Sequence, residues 1–268
     1  MALLTLRGLT KRFGGLPAVD GIDLDVDTGE IVALIGPNGA GKTTLLSLVA
    51  GIVPPTACTT FRFGDRDLVG AAVHEVRHAG IGTVRQAPTR FPSMSVREEV
   101  AVGARFGRAE TLDHRTALHR ADEVLDLVGL REQAAAPVTS LTLHGTRLLG
   151  LARALAGRPD LLLLDEPMAG LTPGELEHAI ALIRALRDEH GLTVLWVEHV
   201  MPAVDLLAER VVVMDVGRVL AEGDPAEVRR DPAVIAAYLG VPDAGPAGQA
   251  GAPGAAPSEE GGPRAGGA

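Results

Sequence analysis

The chain is expected to fold as an α/β protein. Short apolar runs alternate with helical segments, several runs are apolar on both faces as buried parallel strands are, and a long middle stretch keeps helical spacing without strands.

The strand-like runs are LLTLRGL at 3–9, IVALIG at 31–36, GTVRQ at 82–86, LLLLDEP at 161–167, LTVLWVEH at 192–199 and RVVVMDVG at 210–217. The second leads through a Gly-rich segment into a helix, TTLLSLVAG. From about 88 to 156 helical patterns take over, which predicts a helical subdomain inserted into the core. There Ser95 with Glu98 makes a capping box, and ALHRADEVLDLVGL has amphipathic spacing. In SLTLHGTRLLGLARAL at 140–155, Thr142 caps a helix whose stripe is Leu148, Leu151 and Leu155. Its second and third positions hold His144 and Gly145, where a glutamate or glutamine at the third would complete a capping box. From Val241 onward the chain is rich in Gly, Ala and Pro, too poor in apolar side chains to offset its ordering entropy. That predicts a folded unit over 1–240 and a disordered tail over 241–268. Scattered acids such as Asp20 and Asp23 read as solvated surface.

Composition narrows the function classes. With 46% apolar residues and a mean hydropathy of +0.20 the chain can bury a substantial core. No stretch of about 18 residues is free of charges and breaks, so it is not expected to span a membrane, and a cytoplasmic location is expected. The single cysteine, Cys58, excludes an internal disulfide. A net charge of −9 argues against nucleic acid as the main ligand. Lys11 and Lys42 are the only lysines, and Lys42 sits inside a glycine-rich loop.

That loop, GPNGAGKTT at 36–44, follows a buried strand and opens a helix, the context a phosphate-binding P-loop requires. Gly36, Pro37, Asn38, Gly39, Ala40 and Gly41 would wrap a phosphate chain, with the helix N-terminus adding a favourable dipole. Lys42 would reach the β and γ phosphates, and Thr43, followed by Thr44, would ligate Mg²⁺. LLLLDEP supplies the complement: Asp165 for the Mg²⁺ shell and Glu166 to orient and deprotonate an attacking water.

With these motifs in order, the chain resembles the ATP-binding subunits of ABC transporters over nearly all of 2–240. The order is GPNGAGKTT, Gln86 after a strand, LTLHG before ARAL, LLLLDEP, AGLTP and His199 in VEH. The resemblance implies a P-loop NTPase (RecA-like) core with an antiparallel β subdomain and an inserted helical subdomain. It further implies that Phe13 stacks on adenine, that Gln86 senses Mg²⁺ and water, and that His199 contacts the γ-phosphate. RFGGLPAVDGIDLDV, DEPMAGLTP, VEHVM and EGDPAEVRRDPAVIAAYLG resemble the branched-chain amino acid importers in particular, with urea and amide importers close behind.

The family's signature motif, Leu-Ser-x-Gly-Gln, starts a helix that faces ATP held by the other subunit of a dimer. Here Leu141, Thr142, Leu143, His144 and Gly145 occupy those places. The resemblance therefore implies that Thr142, His144 and Gly145 meet a partner's nucleotide, and that the signature is degenerate where phosphate comes closest. The implied function is a Mg²⁺-dependent ATPase that powers an importer, docked on transmembrane permease subunits at the inner face of the membrane. A heterodimer with a second ATP-binding subunit is favoured, because a homodimer would place His144 against both nucleotides. The alternatives are a nucleotide-binding regulatory subunit with weak turnover, a soluble non-transport ABC ATPase and a P-loop kinase of a small metabolite.

Overall fold

The computed structural model describes residues 1–86 and 89–239, so the tail expected from 241 lies outside the described residues. Strands β1 (Ala2–Phe13), β2 (Leu16–Asp27), β4 (Thr60–Phe63) and β5 (Arg66–Asp67) form an antiparallel sheet in the order β2-β1-β4-β5. A second sheet holds β3 (Ile31–Ile35), β6 (Ile81–Val84), β7 (Leu161–Asp165), β8 (Thr193–Val197), β9 (Arg210–Asp215) and β10 (Arg218–Gly223). Its order is β10-β9-β3-β8-β7-β6, parallel except for the β10 edge. This is the expected α/β architecture.

The central strands IVALI and TVLWV are buried at every residue, because both faces of the parallel sheet are covered. One face, through Val32, Leu34, Leu163 and Leu195, packs on α1 (Lys42–Val49), α2 (Val73–Ala79) and the antiparallel sheet. The other, through Ala33, Leu164 and Trp196, packs on helices. These include α3 (Val96–Phe106), α4 (His114–Leu127), α5 (Leu143–Ala156), α6 (Pro173–His190) and α7 (Met201–Leu207). The short α8 (Pro225–Val228) and α9 (Pro232–Leu239) follow. Between β6 and β7 the described residues hold helices and no strand. The capping box expected at Ser95 forms, with the Ser95 amide donating to Glu98 at 2.8 Å.

The strands stop earlier than the apolar runs suggest. β6 ends at Val84, so Gln86 lies in a loop, and β8 ends at Val197, ahead of Glu198 and His199. The parallel strands β6, β7, β8 and β3 therefore release chain at the same edge, where open α/β sheets bind ligands. Two sequence readings are corrected. Strand β2 carries alternating buried and exposed residues, and its interleaved acids mask the apolar signal. Asp23 lies on the surface as expected, accepting the Gly8 amide at 2.7 Å, whereas Asp20 is half-buried and pairs with Arg218 at 2.7 Å.

Candidate functional site

The loop of residues 36–41 is pressed into the protein on two sides. A Cβ at Gly36 would lie 2.0 Å from the Met214 carbonyl oxygen, and one at Gly41 would lie 2.1 Å from that of Ala18. Both have positive φ, 144° and 102°, so only glycine gives this path. The Gly217 amide donates to the Ala40 carbonyl at 2.9 Å, and the Asp20 amide donates to the Gly217 carbonyl at 2.8 Å. These bonds hold the β1–β2 hairpin against the loop. The amides of Gly39, Gly41, Lys42, Thr43 and Thr44 take no backbone acceptor among the described residues. Gathered at the start of α1, they suit an anion.

Lys42 is 6% exposed, and its Nζ donates to the carbonyls of Gly36 at 2.7 Å and Pro37 at 2.8 Å. Burial pushes its pKa down, opposed by Glu166 and Asp165. The ammonium thus braces the loop, close to both carboxylates. Phe13, at the end of β1, is half exposed, with Lys11 Nζ 5.1 Å from its ring centroid.

The second motif meets the first through Thr43, whose hydroxyl donates to Asp165 Oδ1 at 3.2 Å. Burial pushes the Asp165 carboxyl up, partly countered by that hydroxyl. Next to it Glu166 has φ 50°, a backbone region costing a non-glycine residue about 1–3 kcal/mol. Its amide is held by the Val197 carbonyl at 3.0 Å. The side chain is gripped from both sides: Gln86 Nε2 donates to Oε2 at 2.7 Å, and His199 Nε2 lies 2.7 Å from Oε1. Gln86, Glu166 and His199, which come from three separate strand ends, form one constellation.

Oxygen donors from Thr43 and Asp165, with Gln86 nearby, fit a hard cation such as Mg²⁺. Among the described residues no group of three or more His, Cys, Asp or Glu is placed to hold a metal by itself. Mg²⁺ fits that scarcity, because it takes one or two protein oxygens and completes its shell with phosphates and water.

The sequence family described as "ABC transporter" matches residues 19–169, from β2 through Glu166. The chain belongs to the ABC transporter family. A second pattern, "Branched-chain amino acid ATP-binding cassette transporter", matches residues 218–244. The high-affinity branched-chain amino acid transport ATP-binding protein LivG of Escherichia coli K12 is 38% identical over 250 residues, covering 89% of this chain and 98% of LivG. The ADP conformation of MJ1267, an ATP-binding cassette of an ABC transporter, superposes with TM-score 0.80 at 27% identity, covering 90% of this chain and 99% of that one. The dimeric, post-hydrolysis cassette MJ0796 bound to ADP and Pi gives TM-score 0.75 at 25% identity, over 83% and 98% of the two chains.

As in other cassettes of this family, the chain carries a P-loop and binds nucleotide. The start of α5, where the signature motif is expected, faces the constellation across a shared cleft. Thr142 caps α5, accepting the Gly145 amide at 3.1 Å, while Leu143 beside it is 71% exposed. No hydrogen bond joins Thr142 or Gly145 to the P-loop, Asp165, Glu166 or His199 among the described residues. His144 instead lines an apolar cleft between α5 and α6 whose wall also includes Glu166.

The cassette's sequence hides one further residue. Glu198, the middle letter of VEH, is fully buried. An acid following the continuous apolar run TVLWV was its only signal.

Proposed function

We propose that this chain is the ATP-hydrolysing subunit of an importer for branched-chain amino acids or related small solutes. The observation that carries the reading is Glu166, fixed between Gln86 and His199 beside an Asp165 already joined to the P-loop threonine. Identity to LivG along nearly the whole length supports the cargo class, as does the match at residues 218–244.

In this reading residues 36–44 cradle the phosphates of ATP. Lys42 turns from its loop carbonyls toward the β and γ oxygens, and Phe13 offers its open face to adenine. Thr43 and Asp165, with Gln86, hold Mg²⁺, which supplies positive charge against the phosphates. Glu166 orients the attacking water and takes its proton, and His199 steadies both Glu166 and the γ-phosphate. Residues 1–240 act as one ATP-binding domain, with the helical subdomain of about 88–156 and Gln86 facing the permease. The described residues include no helix long and apolar enough to cross a membrane, in keeping with a peripheral place on the inner face through the permease. The second cassette of the pair is a different chain with an intact signature.

The test is Glu166→Gln in the assembled complex. The substitution keeps shape and removes the base, so hydrolysis should fall by a factor on the order of 10² or more while ATP binding persists. Unchanged turnover would remove Glu166 from the catalytic role. Uptake of labelled leucine against urea, in membranes carrying the complex, tests the cargo class.

A further inference from the structure

Glu198 sits between the end of β8 and the His199 loop with no exposed surface. A buried carboxylate ordinarily needs a cation, as Glu99 has in Arg153 at 2.8 Å. Glu198 has backbone amides instead. Its Oε1 accepts from the amides of His199 at 3.0 Å and Val200 at 3.2 Å, and its Oε2 accepts from Met168 at 3.4 Å. Two of these donors belong to the segment that carries His199. The third lies two residues beyond Glu166.

Other bonds tie the same two segments. Asp165 pairs with Val197 in the sheet, the Glu166 amide donates to the Val197 carbonyl at 3.0 Å, and the Glu166 carboxylate meets His199 at 2.7 Å. The Glu198 side chain adds a further cross-link, made by a buried ionisable group. Glu166 has φ 50°, a conformation that persists only where its surroundings fix it.

We propose that Glu198 is a positioning residue for hydrolysis: it locks the backbone after Glu166 to the backbone of His199, and so sets the Glu166–His199 geometry. The proposal rests on the reading of Glu166 and His199 as the hydrolytic pair. It predicts effects on turnover and not on nucleotide affinity, because no hydrogen bond of Glu198 reaches the P-loop among the described residues.

The two oxygens make the test selective. In Glu198→Gln the amide oxygen still accepts from His199 and Val200, while its NH₂ faces the Met168 amide, donor against donor. The variant is nearly isosteric, and its melting temperature should stay close to that of the unchanged chain. In the assembled complex its kcat should fall roughly ten- to hundredfold with KM for ATP within about twofold, since small misplacements of reacting groups cost that much. In a His199→Ala background, Glu198→Gln should add little, because both act through one geometry. In the nucleotide-free full chain, hydrogen exchange should quicken at the amides around Met168. Glu198→Asp, which draws the carboxylate back by one methylene, should lose turnover in the same way.

The proposal is overturned if folded Glu198→Gln and Glu198→Asp turn ATP over at the unchanged rate, or if the His199 and Glu198 losses multiply. It is equally overturned if exchange near Met168 is unaltered. Glu166→Gln in the same assay separates the cases. Full activity in that variant would sink the assignment of the hydrolytic pair, whereas full activity in the Glu198 variants alone sinks only the positioning role.

Discussion

His144 Nδ1 lies 3.8 Å from Glu175 Oε1 of the same chain, so the histidine of the signature helix leans on the first turn of α6. The other Glu175 oxygen is taken by the amide and hydroxyl of Thr172, both at 2.8 Å. His144 Nδ1 is buried and has no hydrogen-bond partner among the described residues. The ring thus lies along the cleft between α5 and α6, while the Thr142 cap beside it stays intact. A slight approach of the two helices would turn the contact into a hydrogen bond.

The double substitution His144→Gly, Gly145→Gln should therefore raise hydrolysis by the chain paired with itself, by several-fold. A Cβ at 145 would meet Leu141 and Thr142 at 3.4 Å, ordinary contact, so a glutamine has room to complete the capping box. Glycine moves by one position, leaving the summed helix propensity nearly unchanged. Phosphate release at a concentration where both proteins dimerise is the measurement. An unchanged rate would mean that the ring is no obstacle.

Pairing with a second cassette should be asymmetric. Glu166→Gln in this chain should stop most hydrolysis by the pair, whereas the matching substitution in a partner with an intact signature should leave most of it. Equal losses from the two substitutions would argue for two equivalent sites.

Lys42→Ala should weaken ATP binding itself. It removes a buried charge in the loop together with the two bonds that brace Gly36 and Pro37. Hydrogen bonds to charged groups contribute about 1.5–3 kcal/mol, so affinity should drop roughly ten- to hundredfold. Equilibrium titration with a fluorescent ATP analogue distinguishes this from Glu166→Gln, which should bind normally.

Asp165 gives a pH-dependent prediction. Burial raises its folded pKa above the unfolded one, so its favourable contribution is present below the unfolded pKa and is lost as pH rises through the folded value. At neutral pH the buried carboxylate opposes folding. Asp165→Asn keeps an acceptor for Thr43 and should raise the melting temperature of the nucleotide-free chain near pH 7. The expected scale is about 2–4 °C for each kcal/mol relieved, with the gain shrinking as pH approaches 4. The same variant should lose hydrolysis. A lower melting temperature at pH 7 would show that the Thr43 bond outweighs burial.

Much of the site was legible in the chain because its pieces are local. GPNGAGKTT carries its own glycines, lysine and helix start, and each acts within one turn of backbone. The Thr142 cap and the Ser95 capping box are equally local, and the spacing placed both correctly. β2 was missed because its acids interrupt the apolar pattern, and β4 and β5 because they are too short to signal. Glu198 gives little sign of itself in the sequence, because the amide that ties it across the fold, that of Met168, lies 30 residues away.

By itself, then, the sequence determined the α/β class, the phosphate loop, and which residues could do chemistry. Tertiary structure decided which of them meet. Gln86 and Glu166 stand 80 residues apart, and they touch because β6 pairs with β7 and β7 with β8. Strands apolar on both faces carry no mark of their neighbours, so that order follows only from packing the whole sheet between its two cores. The side to which His144 turns was likewise settled by α6, because a helix position fixes where a side chain starts and its neighbours fix where it rests.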